Sequence, residues 1–411
     1  MKPVTTHALH GALLRLGRRR LETVHGPFDA EPFLNLSTRA PVVVLARGDV
    51  CGTEPMLARV HSSCVTSEAF GGRDCDCAEQ LDAALEAIAR EGRGVVFYLM
   101  QEGRGAGFAA KARDRMLVQA SRHRLTTFEA YAQMGLERDH RRYDEVAFAC
   151  RLLNISAPLI LLTNNPEKKA ELEREGVPLA GTRALERAAS PWSRHYLDSK
   201  ARSGHALAES GPGCGVAELP ETVEAFDPHP LASAPRFVHL ASYLLPVRAG
   251  AVARGEPAAA DATPPGHKGD ATWLRLHAVH DVVSGHELVV FLHRARPGAV
   301  PLLHVQSESL LERFPLRDGG VHRPAWREAV LAMRERGAGC ALFLPPEPLA
   351  PDAAGALPAV DDAALADLLA HFVEAGPTEP FRAERPGLAR LLPLLARRGV
   401  KLVASGEPGS A

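Results

Sequence analysis

The sequence predicts an α+β protein (α/β-like) built as two tandem domains, each a mixed sheet flanked by helices. Three observations carry this. In the first half, strand-like apolar runs alternate with stretches of helical periodicity. Residues 205–235 are rich in Gly, Pro, Ala and Ser and read as a linker. Beyond that linker the pattern of the first half returns at a fixed offset. The domains are placed accordingly at 1–204 and 236–411, and 411 residues are ample for two domains at ~100–200 residues each.

The bulk properties exclude several classes of function. With 48 Lys and Arg against 49 Asp and Glu, the formal charge of −1 predicts no polyanion-binding surface and no nucleic-acid partner. No apolar run approaches the ~20 residues that cross a bilayer, so no membrane association is expected. Seven cysteines, an odd number, and no signal-peptide pattern point to a reducing, cytoplasmic location rather than a disulfide framework.

In chain order, the basic stretch Leu13–Arg20 reads as a solvated terminal helix. Strand-like runs follow at Val42–Leu45 and Met56–Val60. The second runs into a polar loop holding Cys64, Cys75 and Cys77, a C-x10-C-x-C spacing. Apolar periodicity (Leu81, Ala84, Leu85, Ile88) predicts a helix over Glu79–Arg90, ended by Gly92. A strand at Val95–Leu99 and a Gly-rich turn, Gln101–Gly105, come next. Further helices are predicted at Phe108–Gln119 and over residues 145–154, then a buried strand at Pro158–Thr163.

The cysteines point to chemistry. Three thiolates in one short segment hold a zinc ion and leave one tetrahedral position for water, whereas a structural site normally shows a fourth protein ligand. Burial as three small apolar thiols is the alternative, but Asp-Cys-Asp-Cys is a polar setting.

The stretch Arg59–Lys111 closely resembles the GTP cyclohydrolase II family, zinc enzymes that open the guanine ring of GTP at the start of riboflavin synthesis. An RVHS-x-C segment, the cysteine triplet, Ala78-Glu79-Gln80-Leu81, EGRG and QEGRG stand in order. The likeness resumes at Leu161–Pro166 (LLTNNP) and His195–Lys200 (HYLDSK), covering about the first half of the chain.

The resemblance implies zinc on Cys64, Cys75 and Cys77, one ion per chain, with Mg2+ accompanying the GTP triphosphate. It implies nucleotide contacts at Arg59, His61, Ser62, Ser63, Gln80, Glu102, Gly103, Arg104, Thr127, Thr163 and Lys168. Cations would face phosphates, and Gln80 and Glu102 the polar edge of guanine. Water activated at the zinc would add at C8 of guanine. The ring would then open, with release of formate and pyrophosphate. For attack at the α-phosphorus, the family pattern places Arg141 as nucleophile and Asp139 as its proton acceptor. A guanidinium is normally protonated, so charge stabilisation of the phosphate by Arg141 is the other reading.

Three positions depart from the family pattern. Ser63 replaces a Glu and Arg142 an Asp. Arg115 replaces a catalytic Tyr in the K-x-R-x-Y helix, here Lys111-Ala112-Arg113-Asp114-Arg115. A guanidinium cannot accept a proton as a phenolate can, so the ring would open while deformylation is impaired, unless Tyr98 or Tyr131 supplies the phenol. A non-catalytic GTP-binding regulator is the competing function class.

In the second half, Leu303–Ser309 echoes Ala58–Cys64 at an offset of 245 residues. The same offset sets Gly337 on Gly92, Gly339 on Gly94, Cys340–Leu344 on Val95–Leu99, and Trp326–Arg334 on the first-half helix. This reads as a degenerate second copy. Ser309, Gly320 and His322 replace the cysteines, so this half is expected to be metal-free. Val400–Ala404 is its weak match to the LLTNNP strand, and Gly255–Asp270 reads as a disordered loop. Since the family forms homodimers, the copy would replace the second subunit as an intramolecular pseudo-dimer. Binding of an effector or partner protein, and homodimerisation of the whole chain, stay open.

Overall fold

The first described residues form strands, not the expected helix. β1 (Leu13–Arg15) and β2 (Arg19–Thr23) both pair antiparallel with β3 (Gly26–Asn35). Leu13 and Leu21 turn into the core, while Arg15 and Arg18 pair with Glu31 and Asp29 of β3. The arginines that looked like a solvated helix face are one side of a ladder. The computed structural model describes residues 13–185, 190–204, 215–248, 271–320, 322–344, 360–373, 377–382 and 386–403.

The first half continues with β4 (Pro41–Arg47), β5 (Met56–Ser62), the short α1 (Val65–Glu68), α2 (Cys77–Glu91) and β6 (Gly94–Leu99). Next come α3 (Gly107–Ala120), α4 (Thr127–Gln133), α5 (Asp144–Leu152), β7 (Leu159–Leu162), α6 (Pro166–Arg174), β8 (Leu179–Arg183) and α7 (Arg194–Arg202). The eight strands form one mixed sheet, ordered β1-β3-β4-β6-β5-β7-β8, with β2 on β3. Strands β6, β5, β7 and β8 run parallel, and β4 joins β6 antiparallel. α2 stops at Gly92, which takes the left-handed conformation (φ 78°) open to glycine.

The second half holds β9 (His229–Leu231), β10 (Ala234–Arg248), β11 (Ala271–Asp281), β12 (Glu287–Arg294), β13 (Leu302–Ser307), α8 (His322–Arg336) and β14 (Ala338–Leu344). It closes with α9 (Asp362–Val373), β15 (Pro377–Pro380), α10 (Pro386–Arg397) and β16 (Lys401–Leu402). Its sheet, β9-β10-β11-β12-β14-β13-β15-β16, has the same order of roles as the first. In the first sheet Leu57 lies opposite Gly94 and Ser62 opposite Leu99; in the second, Leu302 lies opposite Gly339 and Ser307 opposite Leu344. Each pair is displaced by the same 245 residues read from the sequence. Gly337 ends α8 as Gly92 ends α2, at φ 80°.

Two expectations need correction. The strand in the place of β7 is β15, which lies parallel beside β13, and Lys401–Leu402 occupies the place of β8 outside it. Two prolines, one at each end of a four-residue strand, hid it. The supposed linker is partly built structure. Its last residues form β9 and begin β10, and Val223 is buried with Leu219 and Phe226 packed beside it. Residues 205–214, the expected loop Gly255–Asp270 and residues 345–359 lie outside the described residues.

The two sheets share cores. Val65, Phe70, Phe108, Ala112 and Met116 pack with Tyr243, Phe291, Trp326 and Phe343, and Leu310 and Phe314 pack with Phe28, Leu81 and Tyr98. The backbone contacts are reciprocal: Gly72 bridges to Val247 at the end of β10, and Leu316 bridges to Thr23 at the end of β2. Equivalent segments exchanged in this way are the mark of a two-fold interface. No helix among the described residues is long and apolar enough to cross a membrane.

Candidate active site

The parallel strands β5, β6 and β7 end along one edge of the first sheet, and their C-terminal loops build a single cleft, as in other open parallel sheets. It encloses about 110 Å³ of water-accessible space. Of the residues singled out in the sequence, Arg59, His61, Ser62, Ser63, Cys64, Cys75, Cys77, Gln80, Glu102, Gly103, Arg104, Arg115, Thr127, Arg141, Thr163 and Lys168 all line it. Asp139 stands just behind, its carboxylate forked onto Arg141.

Cys64 follows β5, and Cys77 opens α2. The three sulfurs lie within 4.8 Å of one another, and Cys64 Sγ is 3.6 Å from Cys75 Sγ. Sulfurs on a tetrahedral zinc at ~2.3 Å stand ~3.8 Å apart, so the donor set and its spacing fit that ion. Hydrogen bonds from Cys75 and Cys77 hold the Cys64 thiol well below its ordinary range, and Lys111, donating to Cys64 Sγ at 3.0 Å, adds to this. Their hydrogen bonds to Cys64 hold the Cys75 and Cys77 thiols up in turn, so the negative charge gathers on Cys64, beside Lys111.

The turn after β6 is fixed by glycine. Gly105 has φ 84°, and a Cβ there would stand 2.8 Å from the His140 carbonyl carbon. His140 N–H donates to Arg104 O at 2.9 Å, tying the turn to the loop that bears Asp139 and Arg141. Arg104 takes φ 56° and lays its guanidinium on the Phe128 ring at 4.1 Å.

Positive charge is poorly neutralised here. Burial, with Arg59 and Arg141 adding repulsion, holds the Lys168 ammonium well below its ordinary range; it donates to Val60 O at 2.9 Å. Burial lowers Arg59 as well, against the attraction of Asp76. Arg141 differs: burial opposes its charge, but the Asp139 carboxylate holds it above the ordinary range. Buried polar atoms without a partner also collect in the cleft, among them Ser62 Oγ, Ser63 Oγ, Thr127 Oγ1, Gln101 Oε1 and His61 Nδ1. Such atoms are rare in protein interiors, and their gathering marks a ligand site.

Gln80 and Glu102, assigned from the sequence to the guanine edge, are already engaged. Gln80 accepts from Arg59 Nη2 (2.6 Å) and donates to Asp76 (2.5 Å). Glu102 accepts from Lys111 Nζ and from Val65 N–H, each at 2.7 Å. Both brace the cysteine loop.

Arg115 is buried against Asp74 (2.9 Å) and lies over the Tyr196 ring at 4.7 Å. Of the two tyrosines considered in its place, Tyr98 is outside the cleft wall, and Tyr131 lines it with its hydroxyl donating to Gly103 O at 2.7 Å. The phenol beside Arg115 is Tyr196, which burial pushes up to about 12. Tyr196, Lys200, Lys111 and Asp114 were not singled out from the sequence, although the first two lie in HYLDSK and the last two in the helix after QEGRG. Lys200 pairs with Asp76 at 2.7 Å, and burial pushes Asp114 up to about 6.

The model of the GTP cyclohydrolase II family matches residues 15–184. A GTP cyclohydrolase-2 of Klebsiella pneumoniae is 40% identical over 196 residues, 47% of this chain and 96% of that protein. The chain belongs to the GTP cyclohydrolase II family. A Pseudomonas putida GTP cyclohydrolase-2 is 39% identical over 195 residues, 47% of this chain and 93% of its own length, and the Cronobacter sakazakii protein is 40% identical over 196 residues and 98% of its length. The family is one of hydrolases, and its match ends before the second half begins.

Proposed function

We propose that the first half is a zinc-dependent hydrolase that opens the imidazole ring of the guanine of GTP at C8. The products would be pyrophosphate, formate and a diamino-ribosylamino-pyrimidinone 5'-phosphate, or the formamidopyrimidine nucleotide where deformylation is lost. One observation carries this reading: Arg59, Arg104, Arg141 and Lys168 converge beside a three-cysteine cluster, with Asp139 the one carboxylate hydrogen-bonded to any of the four among the described residues. Four cations this sparsely neutralised suit a triphosphate, with Mg2+ sharing its charge.

Cys64, Cys75 and Cys77 would hold the zinc, which when bound supplies Lewis-acid activation of water for addition to an electron-poor ring carbon. Lys168, Arg59 and Arg104 would orient the phosphates. The Asp139–Arg141 fork favours the electrostatic role for Arg141, because a guanidinium held in its charged form stabilises phosphate charge and is a poor nucleophile. Tyr196 is the phenol placed to take the part of the one replaced by Arg115. The reciprocal bridges and shared cores support a second half that acts as built-in partner subunit, giving a pseudo-dimer within one chain.

The test is turnover of GTP by zinc-loaded protein with Mg2+, with products identified by mass spectrometry and formate assayed separately. Pyrophosphate and formate in equal amounts support the full reaction. A ring-opened nucleotide with its formyl group retained assigns the altered product to Arg115. Absence of turnover in zinc-containing protein rejects the enzyme reading.

A further inference from the structure

We propose that Arg313 of the second half is a positioning residue for the first-half active site, acting through Tyr98 and Glu68 to fix which ring nitrogen of His61 faces the substrate. The proposal rests on the reading of His61 as a substrate contact.

The chain of contacts is continuous and buried. His61 Nε2 meets Glu68 Oε1 at 2.7 Å. The other carboxylate oxygen, Oε2, accepts from Tyr98 Oη at 2.5 Å. Tyr98 Oη in turn accepts from Arg313 Nη1 at 3.2 Å, and Arg313 Nε donates to Glu308. His61, Glu68, Tyr98 and Arg313 are all at most 5% exposed. Only His61 lines the cleft, where its Nδ1 is buried with no protein partner.

The donor directions follow from the partners. Burial keeps the Tyr98 phenol protonated, and Arg313 stays charged because the Glu308 and Glu68 carboxylates outweigh its burial. Tyr98 uses its one hydrogen toward Glu68, since the guanidinium on its other side has only donors. Burial holds His61 below its ordinary value, so the ring is neutral and carries one N–H. With Glu68 acting as acceptor on both oxygens, that N–H is on Nε2. Nδ1 is then an acceptor aimed into the cleft, the second-partner device by which histidine tautomers are generally set.

Arg313 is the cation at the end of this relay. The nearby Arg323 bonds the Glu68 main-chain oxygen, at 2.9 Å, rather than its carboxylate. Without Arg313, Tyr98 loses the donor that directs its hydrogen to Glu68, and the Glu68 carboxylate is no longer held on its far side. The carboxylate can then turn from Nε2, and the ring N–H is free to sit on Nδ1, which puts a donor in place of the acceptor in the cleft. The repeat shows how the device arose: at the 245-residue offset, Arg313 stands at the place of Glu68, and Glu308 at the place of Ser63. A second first-half domain in this position would bring a carboxylate to Tyr98 where this chain brings a guanidinium.

The test is long-range 1H–15N correlation NMR on the full zinc-loaded chain, with the His61 signals assigned by their loss in His61→Asn. The wild type is expected to show Nε2 protonated and Nδ1 bare. Arg313→Met is expected to lose this single pattern, with the N–H shared between the two nitrogens, and Arg313→Lys to keep it. In the turnover assay Arg313→Met should lower kcat/KM about tenfold, at the low end for loss of an orienting partner. Tyr98→Phe breaks the relay without removing the charge and should disturb the same signals. Trp326→Phe removes a different interface hydrogen bond, to Phe70 O (2.8 Å), and should leave His61 unchanged. A wild-type His61 pattern in folded Arg313→Met or Tyr98→Phe overturns the proposal, as does an equal shift in Trp326→Phe. Because the NMR readout needs no turnover, an inactive wild type would count against the proposed reaction and leave the relay to be judged on its own.

Discussion

The Arg115 guanidinium meets the Asp74 carboxylate in the cleft wall, Nε to Oδ2 at 2.9 Å, with both side chains little exposed. A residue that replaces a family tyrosine has therefore acquired a counter-ion within the cysteine loop. Breaking one side of a buried pair leaves a bare charge and costs ~3–5 kcal/mol. Arg115→Met is expected to lose about that much in urea denaturation, and the Asp74→Asn/Arg115→Met double variant to regain most of it. Equal stabilities of the single and double variants would show that the pair carries no coupling.

Asp114 gives a pH-dependent expectation. Its carboxyl is pushed up to about 6 by burial, against an ordinary 3.8. The folded state thus holds this proton more tightly than the unfolded chain, and stability declines as pH rises from ~4 to ~6. At pH 7 the ionised Asp114 opposes folding by up to ~3 kcal/mol. Asp114→Asn should raise the urea midpoint at pH 7 and give little change at pH 4. A variant no more stable than the wild type at pH 7 would contradict the assignment.

Lys168 sets stability against binding. Its ammonium is buried near Arg59 and Arg141, so removing it relieves repulsion in the empty cleft. Lys168→Met is expected to melt higher than the wild type without ligand and to bind GTP at least ~10-fold more weakly, about 1.4 kcal/mol. Thermal shift with and without GTP reads both effects, which should have opposite signs.

The metal expectation is stoichiometric. Zinc measured by elemental analysis should be one per chain in the wild type and near zero in Cys64→Ser, because two thiolates alone do not close a zinc site. Chelation of wild-type protein should abolish turnover, with recovery on adding zinc back. A Cys64→Ser chain that retains full zinc would place the ion elsewhere.

The parts legible in the sequence were those fixed by local chemistry. The cysteine spacing, the glycine that ends α2 and the 245-residue echo each follow from short-range constraints, and the sheet registers agree with the echo residue for residue. The opening strands were missed because a two-faced ladder with arginines on one side has no apolar run. β15 was missed because prolines at both ends mask a four-residue strand. Tyr196 and Lys200 stood in a recognised motif, but their places beside Arg115 and Asp76 come from packing α7 across the cleft, a contact between residues far apart in sequence. The spent hydrogen bonds of Gln80 and Glu102 are likewise tertiary facts.

The shared cores around Phe70 and Tyr98 bear on how such a chain evolves. After a duplication, one copy's catalytic residues are released from selection, while side chains that plug the other copy's apolar face are not. Substitutions in the second half should therefore be tolerated at Ser309, which stands at the place of Cys64, and purged at Leu310, Phe314, Trp326 and Phe343. A saturation library of the second half, selected for the activity of the first, would show that inherited asymmetry as two levels of mutational tolerance within one domain.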